Sequence, residues 1–327
     1  MILAGDVGGT STRLAFFEEK ARRLVPIAED TVPSRDHPSL GHAARHFLAS
    51  HSLRATSACF GIAGPVKGGR VRTTNLPWVI DAAEIAGELG LRSVTLINDL
   101  EANAWGLAAL GDEDFALLNA GETGARGNAG VIAAGTGLGE AGLYWDGESH
   151  HPFACEGGHT DFAPRDPKEA GLLRHLLTRF ERVSYERVLS GPGLHNIYIF
   201  LSDERGEPEP AWLAEEMRTR GAPAAIADAG LAGRSGLCAE ALDLFVAIYG
   251  AEAGNLALKM MATGGMYVGG GIAPRILPRL TSGLFMEAFT AKGRMAALMA
   301  AIPVRVVLND RAALLGAARH AMLHPAA

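Results

Sequence analysis

Ile2-Leu3-Ala4-Gly5-Asp6-Val7-Gly8-Gly9-Thr10-Ser11-Thr12-Arg13-Leu14-Ala15-Phe16-Phe17 sets two short apolar runs, 2–7 and 12–17, on either side of Gly8-Gly9-Thr10. Two such runs about a Gly-rich turn predict a β-hairpin. The pattern returns at Ala133-Ala134-Gly135-Thr136-Gly137-Leu138-Gly139, again an apolar run, a Gly-rich turn with a threonine, and a second run. A repeated supersecondary unit is the simplest account of that echo.

The elements around each copy agree with it. After the first hairpin, a third strand is expected near 25–32 and a helix over 38–50, where Leu40, Ala44, Phe47 and Leu48 share a face. Strands follow at 56–62 and 93–97, a small hairpin at 66–74, and a helix start at Asp81-x-x-Glu84 with Asp81 as cap. A helix over 100–110 closes the first series. The second series begins near 115, with a strand at 129–134, a turn at 135–137 and a strand at 139–145. Helical periodicity then dominates: Leu172, Leu173, Leu176, Leu177 and Phe180 form one stripe, and Leu242, Leu244, Phe245, Ile248 and Tyr249 another within 236–262. A strand at 266–268, a helix entered through Pro274, a strand at 302–308 and a helix at 312–323 complete the chain.

Convergent backbone N–H groups with no side chain in the way are what a phosphate needs. Asp6-Val7-Gly8-Gly9-Thr10, Gly135-Thr136-Gly137-Leu138-Gly139 and Gly269-Gly270-Gly271 each offer them. Any one alone is more often a structural turn; three, two of them mirrored across a repeat, favour contact with a phosphate ligand. Asp6 adds a carboxylate beside which Mg²⁺ could sit with its waters. There is no Gly-x₄-Gly-Lys-Ser/Thr, which argues against a P-loop. Gly137-Leu138-Gly139-Glu140-Ala141-Gly142 has the spacing of a Rossmann fingerprint, but Leu143-Tyr144-Trp145 after it is strand-like where that fingerprint opens a helix. His150, His151, Cys155, Glu156 and His159 lie close together, yet Gly157-Gly158 makes a ligand-bearing helix unfavourable and no second cluster completes a zinc site.

Asp99 follows Asn98 at a strand end, where α/β sheets bind ligands. It can accept a proton from an attacking hydroxyl, or simply cap the helix behind it. Glu156, His159 and Glu186 suit a ring of hydroxyls; Glu186 could equally be an acidic residue at a helix start.

These segments together resemble a known family. Gly5-Asp6-Val7-Gly8-Gly9-Thr10 resembles the first phosphate motif of the actin-like ATPase superfamily, which includes hexokinases. Ile97-Asn98-Asp99, Glu156-Gly157-Gly158-His159 with Asp161-Phe162-Ala163-Pro164, and Glu186-Arg187-Val188-Leu189-Ser190-Gly191-Pro192-Gly193 resemble the bacterial ATP-dependent glucokinases, in order from residue 5 to about 320. The resemblance implies an α/β fold of two ribonuclease-H-like lobes with an interlobe cleft. The small lobe would take 1–108 and regain about 302–327, the large lobe 109–301. It implies ATP and Mg²⁺, the latter held through water at Asp6, and glucose phosphorylated on its 6-hydroxyl with Asp99 as the base. The sugar would meet Asn75, Asn98, Asp99, Glu156, His159 and Glu186. The nucleotide side would be Gly5, Asp6, Gly8, Gly9, Thr10, Gly135, Thr136, Gly137 and Gly270. A homodimer is implied too. Ser11 departs from the family, where many members have Asn, and Leu76-Pro77 lies in a segment that varies among relatives.

Composition narrows the classes. The 327 residues are 48% hydrophobic and carry a net charge of −6, with scattered arginines, which disfavours a nucleic-acid partner. Three cysteines at no repeating spacing suit a reducing, cytoplasmic setting. The N-terminus lacks the pattern of a signal peptide, and Glu252 and Lys259 interrupt the most apolar stretch, so no membrane span is expected. A kinase for another hexose, one using polyphosphate, and a sugar-binding regulator without turnover remain open; the regulator lacks a DNA-reading helix-turn-helix ahead of the first strand.

Overall fold

Side chains alternate across a strand, and the first sheet is built on that alternation. In the computed structural model, which describes residues 1–20, 23–73 and 76–324, β1 (Ile2–Val7) and β2 (Ser11–Lys20) form the expected antiparallel hairpin, Asp6 opposite Arg13. β3 (Arg23–Pro33) lies on the outer side of β2. Leu3, Val7, Leu14 and Phe16 enter one core, while Ile2, Ala4, Ala15 and Phe17 enter another. Asp6 and Arg13 therefore belong to the second face.

α1 (Leu40–Ser50) is capped by Ser39 Oγ, which accepts from His42 N at 3.1 Å, and packs on the first face through Leu40, Ala43, Ala44 and Phe47. β4 (Ser57–Ile62) pairs parallel with β1. The hairpin expected at 66–74 is displaced. Gly68 and Gly69, both at positive φ, turn the chain so that only Lys67 and Arg70 bridge, and β5 (Arg70–Arg72) pairs instead with β6 (Val79–Asp81). Asp81 caps α2 (Ala82–Leu89), accepting from Ala83 N and Glu84 N. β7 (Val94–Asn98) pairs parallel with β4, and α3 (Asp99–Gly106) follows at once. The sheet order is β3-β2-β1-β4-β7.

A second unit begins at Asp114. Its strands are β8 (Phe115–Asn119), β9 (Ala129–Ala134) and β10 (Leu138–Trp145); of β11 (His150–Cys155) only the two end residues belong to it. Helices α4 (Pro167–Leu177), α5 (Gly191–Arg205), α6 (Ala211–Arg220), α7 (Ala222–Leu231) and α8 (Gly236–Met260) come next. α8 is long and apolar enough to cross a membrane, but 78% of its apolar window is buried, which makes it a core helix. Behind it come β12 (Gly265–Gly269), α9 (Leu277–Leu280), α10 (Leu284–Thr290), α11 (Ala296–Ala301) and β13 (Val304–Val307). The helix expected to enter through Pro274 does not form. Turns run from Gly270 to Ile276, anchored by Ile272 N on Ala134 O at 3.3 Å, and α9 starts later with Pro278 in its first turn. The second sheet runs β11-β10-β9-β12-β13-β8.

β13 pairs with β12 and β8, so the chain rejoins the first unit at Asn309 rather than near 302. The first unit comprises Met1–Glu113, His151–Ala154 and the segment from Asn309 onward; Asp114–His150 and Cys155–Leu308 make the second. The last helix, α12 (Ala312–Leu323), packs on α3 over the second face of the first sheet. Glycine lets the two helices touch. A Cβ on Gly106 would lie 2.0 Å from Ala312 O, and one on Gly316 1.7 Å from Ala102 O.

That contact generates a prediction. Gly316→Ala gains up to about 1 kcal/mol in helix propensity, but overpacking against backbone costs about 1–3 kcal/mol. The variant should unfold at lower urea concentration than the parent. An unchanged midpoint would mean that α3 and α12 are not in backbone contact at Gly316.

Candidate active site

In the first unit, Val7, Ile62 and Asn98 stand side by side at the carboxyl ends of the parallel strands β1, β4 and β7. The Gly8–Thr10 turn is held from below. Ser34 Oγ donates to Gly8 O at 2.8 Å, which leaves Thr12 Oγ1 to donate to Ser34 Oγ at 2.9 Å, since a hydroxyl has one proton. Ser34 N adds a bond to Thr10 O at 3.0 Å. Thr12 and Ser34 are fully buried.

Asp6 is half-buried and shares its sheet face with the start of α3. Loss of hydration first, then the charge of Asp99, pushes its carboxyl up from the ordinary value to about 6, with Arg13 pulling the other way. Arg13 is fixed by Asp310, Nη2 to Oδ2 at 2.9 Å and Nη1 to the backbone oxygen at 3.1 Å. Gly61 is what admits α3 here: a Cβ on it would lie 2.8 Å from Ala102 Cβ and 3.8 Å from Asp99 Cα.

Asn98, and not Asp99, is the N-cap of α3. Its Oδ1 accepts from Leu100 N at 2.9 Å and Glu101 N at 3.3 Å, and its Nδ2 donates to Gly64 O at 3.2 Å. Asp99 is the first helical residue, half-buried, with Oδ1 3.0 Å from Leu100 N. The side-chain cap that could have explained Asp99 structurally is supplied by its neighbour.

The second unit holds the mirrored turn. Gly135 N donates to Gly137 O, and Gly191 N at the start of α5 donates to Gly135 O, both at 2.8 Å. Tyr249 Oη lies beneath, accepting from Ala134 N at 3.0 Å and 3.2 Å from both Ile132 O and Gly269 O. Gly270 sits at φ 82°, where a Cβ would be 2.3 Å from Ala134 O. Leu138 links this turn to the other candidate residues. Its N–H donates to Glu186 Oε2 at 3.1 Å, and its carbonyl lies 2.0 Å from where a Cβ on Gly158 would be. A Cβ on Gly137 would lie 2.4 Å from the same Glu186 oxygen. Glu156 and His159, both more than half exposed, stand on either side of Gly157-Gly158 with Oε2 and Nε2 4.0 Å apart.

The structure thus gathers Asp6, Gly8, Gly9, Thr10, Asn98 and Asp99 in one unit, and Gly135, Thr136, Gly137, Glu156, His159, Glu186 and Gly270 in the other. Gly5 is different: it lies inside β1, where its missing side chain makes room for Phe60 Cδ1, 2.5 Å from an added Cβ. Asn75 lies outside the described residues. Sequence reasoning missed the cap at Asn98, the Gly61 contact and the Tyr249 anchor; a tyrosine in an apolar helical stripe reads only as core. It also missed a partly unbonded acid beneath Gly157, Glu140.

Among the described residues no group of three or more His, Cys, Asp or Glu side chains could hold a metal ion. One carboxylate with oxygen chemistry, poorly hydrated and beside a second negative charge, still suits Mg²⁺, which keeps most of its water and is held largely through substrate phosphates.

Comparison with known proteins places this geometry. The glucokinase family profile matches residues 3–324. The chain is 41% identical to the glucokinase of Nostoc sp. over 334 residues, covering 97% of this chain and 98% of that one. The crystal structure of a glucokinase from an Antarctic psychrotroph superposes with a TM-score of 0.85 at 32% identity, covering 99% of each chain. A ROK family glucokinase from Streptomyces griseus, in complex with glucose and AMPPNP, shares the fold at a TM-score of 0.67 and 20% identity over 99% of each chain. The chain belongs to the glucokinase family, sugar kinases of the actin-like ATPase fold that phosphorylate glucose.

Proposed function

We propose that this chain moves the γ-phosphoryl group of ATP to the 6-hydroxyl of glucose with Asp99 as general base. The observation that carries the reading is the strand end at Asn98-Asp99. Asn98 caps the helix, and Asp99 is set beside Asp6 at the carboxyl ends of the parallel strands.

The chemistry is an in-line displacement. The 6-oxygen attacks the γ-phosphorus, the bond from that phosphorus to the β–γ bridging oxygen breaks, and the hydroxyl proton passes to Asp99. ADP leaves with the bridging oxygen. The Gly8–Thr10 and Gly135–Gly137 turns present backbone N–H groups to the phosphates, and Gly270 leaves bare backbone for the base. Mg²⁺ brought with the nucleotide supplies charge neutralisation on the transferring group, and Asp6 would hold it through water. Glu156, His159 and Glu186 take sugar hydroxyls. Arg13 keeps Asp6 in place through the opposite strand. The AMPPNP and glucose of the Streptomyces griseus relative accord with ATP as donor and glucose as acceptor. A homodimer in the cytoplasm is the accompanying expectation.

The base assignment has a direct test. Asp99→Asn keeps the size of the side chain and most of its hydrogen bonds but cannot take a proton. A positioned general base contributes about 10²–10⁴ in rate, so kcat should fall by at least about two decades while calorimetric glucose affinity changes far less. With the cap on Asn98, the variant should fold normally. A folded Asp99→Asn protein with near-parental kcat would sink the assignment.

The nucleotide side has its own. An alanine at the φ of Gly270 is disfavoured by about 1–2 kcal/mol, and its Cβ would press on Ala134 O. Gly270→Ala should raise KM for ATP with little change in KM for glucose. A folded variant with unchanged KM for ATP would place Gly270 away from the nucleotide.

A further inference from the structure

Beneath the second unit's sugar-reading segments lies a buried acid pair that phosphoryl transfer does not use. Glu140 projects from β10 and is 1% exposed; Glu252 projects from α8 and is 0% exposed. Glu140 Oε1 has no hydrogen-bond partner among the described residues, and Glu252 Oε1 pairs with the Lys259 ammonium at 3.6 Å. Glu140 Oε2 lies 1.7 Å from where a Cβ on Gly157 would be, so the Glu156–His159 turn rests directly on this carboxyl. Glu252 accepts from Asn255 Nδ2 at 2.8 Å and from the Tyr185 hydroxyl, which itself accepts from Asn255 Nδ2 at 3.1 Å. Gly157 follows Glu156, and Tyr185 precedes Glu186. One buried pair therefore underlies both segments.

We propose that Glu140 is a positioning residue for the sugar-binding turn Glu156–His159: as the neutral acid it seats Gly157 on β10, and its ionisation weakens sugar binding. This rests on the reading of Glu156 and His159 as sugar ligands.

A carboxyl buried away from water and beside a second acid loses hydration and gains repulsion on ionising, so Glu140 holds its proton to higher pH. Burial first, then the charge of Glu252, pushes Glu140 up to about 8, with Lys259 opposing. Tyr249 of α8 and Cys155 at the end of β11 also face Glu140; Glu156 faces Cys155, and Tyr185 from the short helix 185–187 faces Glu252. Burial raises the two phenols and the thiol, so Glu140 ionises before them. Lys292, whose ammonium burial pulls down, bonds to Asn255 Oδ1 at 2.5 Å. The sign follows. Glu140 is neutral below about 8 and charged above it, so sugar affinity is flat on the acid side and falls on the alkaline side.

The experiment is glucose KM and calorimetric glucose Kd against pH for the parent, Glu140→Gln, Glu252→Gln and Glu156→Ala. If only the protonated form is competent, the parent's glucose KM should rise about tenfold by about pH 9, with KM for ATP unchanged. Glu140→Gln, the same size and permanently neutral, should keep a low glucose KM across the range. Glu252→Gln removes part of what holds the proton, so its rise should begin at lower pH; it carries the test if Glu140→Gln does not fold. A role confined to stability would lower the melting temperature of Glu140→Gln and leave the alkaline rise in that variant. A Glu140→Gln profile that climbs with the parent's, or a flat parent profile, overturns the proposal. Glu156→Ala separates the two readings: unchanged glucose KM there removes the sugar assignment, while raised KM with a flat parent profile removes only the role of Glu140.

Discussion

The carboxylates of Asp6 and Asp99 repel each other, and the first unit is built to hold them side by side. Three parallel strands end at one level, which brings β1 and β7 near each other across β4. Gly61 in β4 removes the side chain that would lift α3 away. Asn98 takes the cap, so the helix begins at Asp99 without drawing on a second residue upstream. Arg13, opposite Asp6 and tied to Asp310, supplies the compensating charge. α12 then clamps α3 through two glycine contacts with backbone. Residues distant in sequence thus bear on the placement of these two carboxylates.

The second unit works with backbone instead of charge. Leu138 is the common point: its N–H meets Glu186, its carbonyl meets Gly158, and the turn before it carries Gly137 against the same carboxylate. Glycine appears at the Gly158 and Gly137 contacts because the spacing there is shorter than any Cβ allows. A displacement of the Gly135–Gly137 turn would therefore be felt at Glu186 and at the Glu156–His159 turn through a single residue. Coupling of that kind needs no long path, only close packing with no slack.

Much of this was legible in the sequence. The hairpin at 2–17 and its echo at 129–145 follow from apolar runs about glycine, and Asp81 caps its helix as its spacing to Glu84 predicts. What stayed hidden depends on contacts between distant segments. Gly68-Gly69 looks like a hairpin turn, yet the partner of β5 lies at 79–81. Pro274 looks like a helix start, but Gly270 and Ile272 are held to Ala134, and turns occupy that stretch. In the sequence Asp99 is the cap candidate; the bonds from Leu100 and Glu101 give the cap to Asn98. Gly5 belongs by motif to a phosphate turn and by position to the packing of Phe60.

Glu140 is the hardest residue to explain by stability. An acid in a strand between Gly139 and Ala141 reads as an outward-facing polar residue, yet it is buried with one oxygen lacking a hydrogen bond. Burying an unpaired polar atom costs about 1–3 kcal/mol, and replacing buried charged groups with apolar ones of similar volume is often neutral or stabilising by about 1–4 kcal/mol. Local rules tend to be broken at functional positions, and the element resting on this acid is Gly157, in the turn that carries Glu156 and His159. An apolar side chain could fill the space below that turn, but it could not change its interaction with Glu252 by gaining or losing a proton. The unfavourable burial is then the consequence of placing a titrating group where it can alter the seating of the turn.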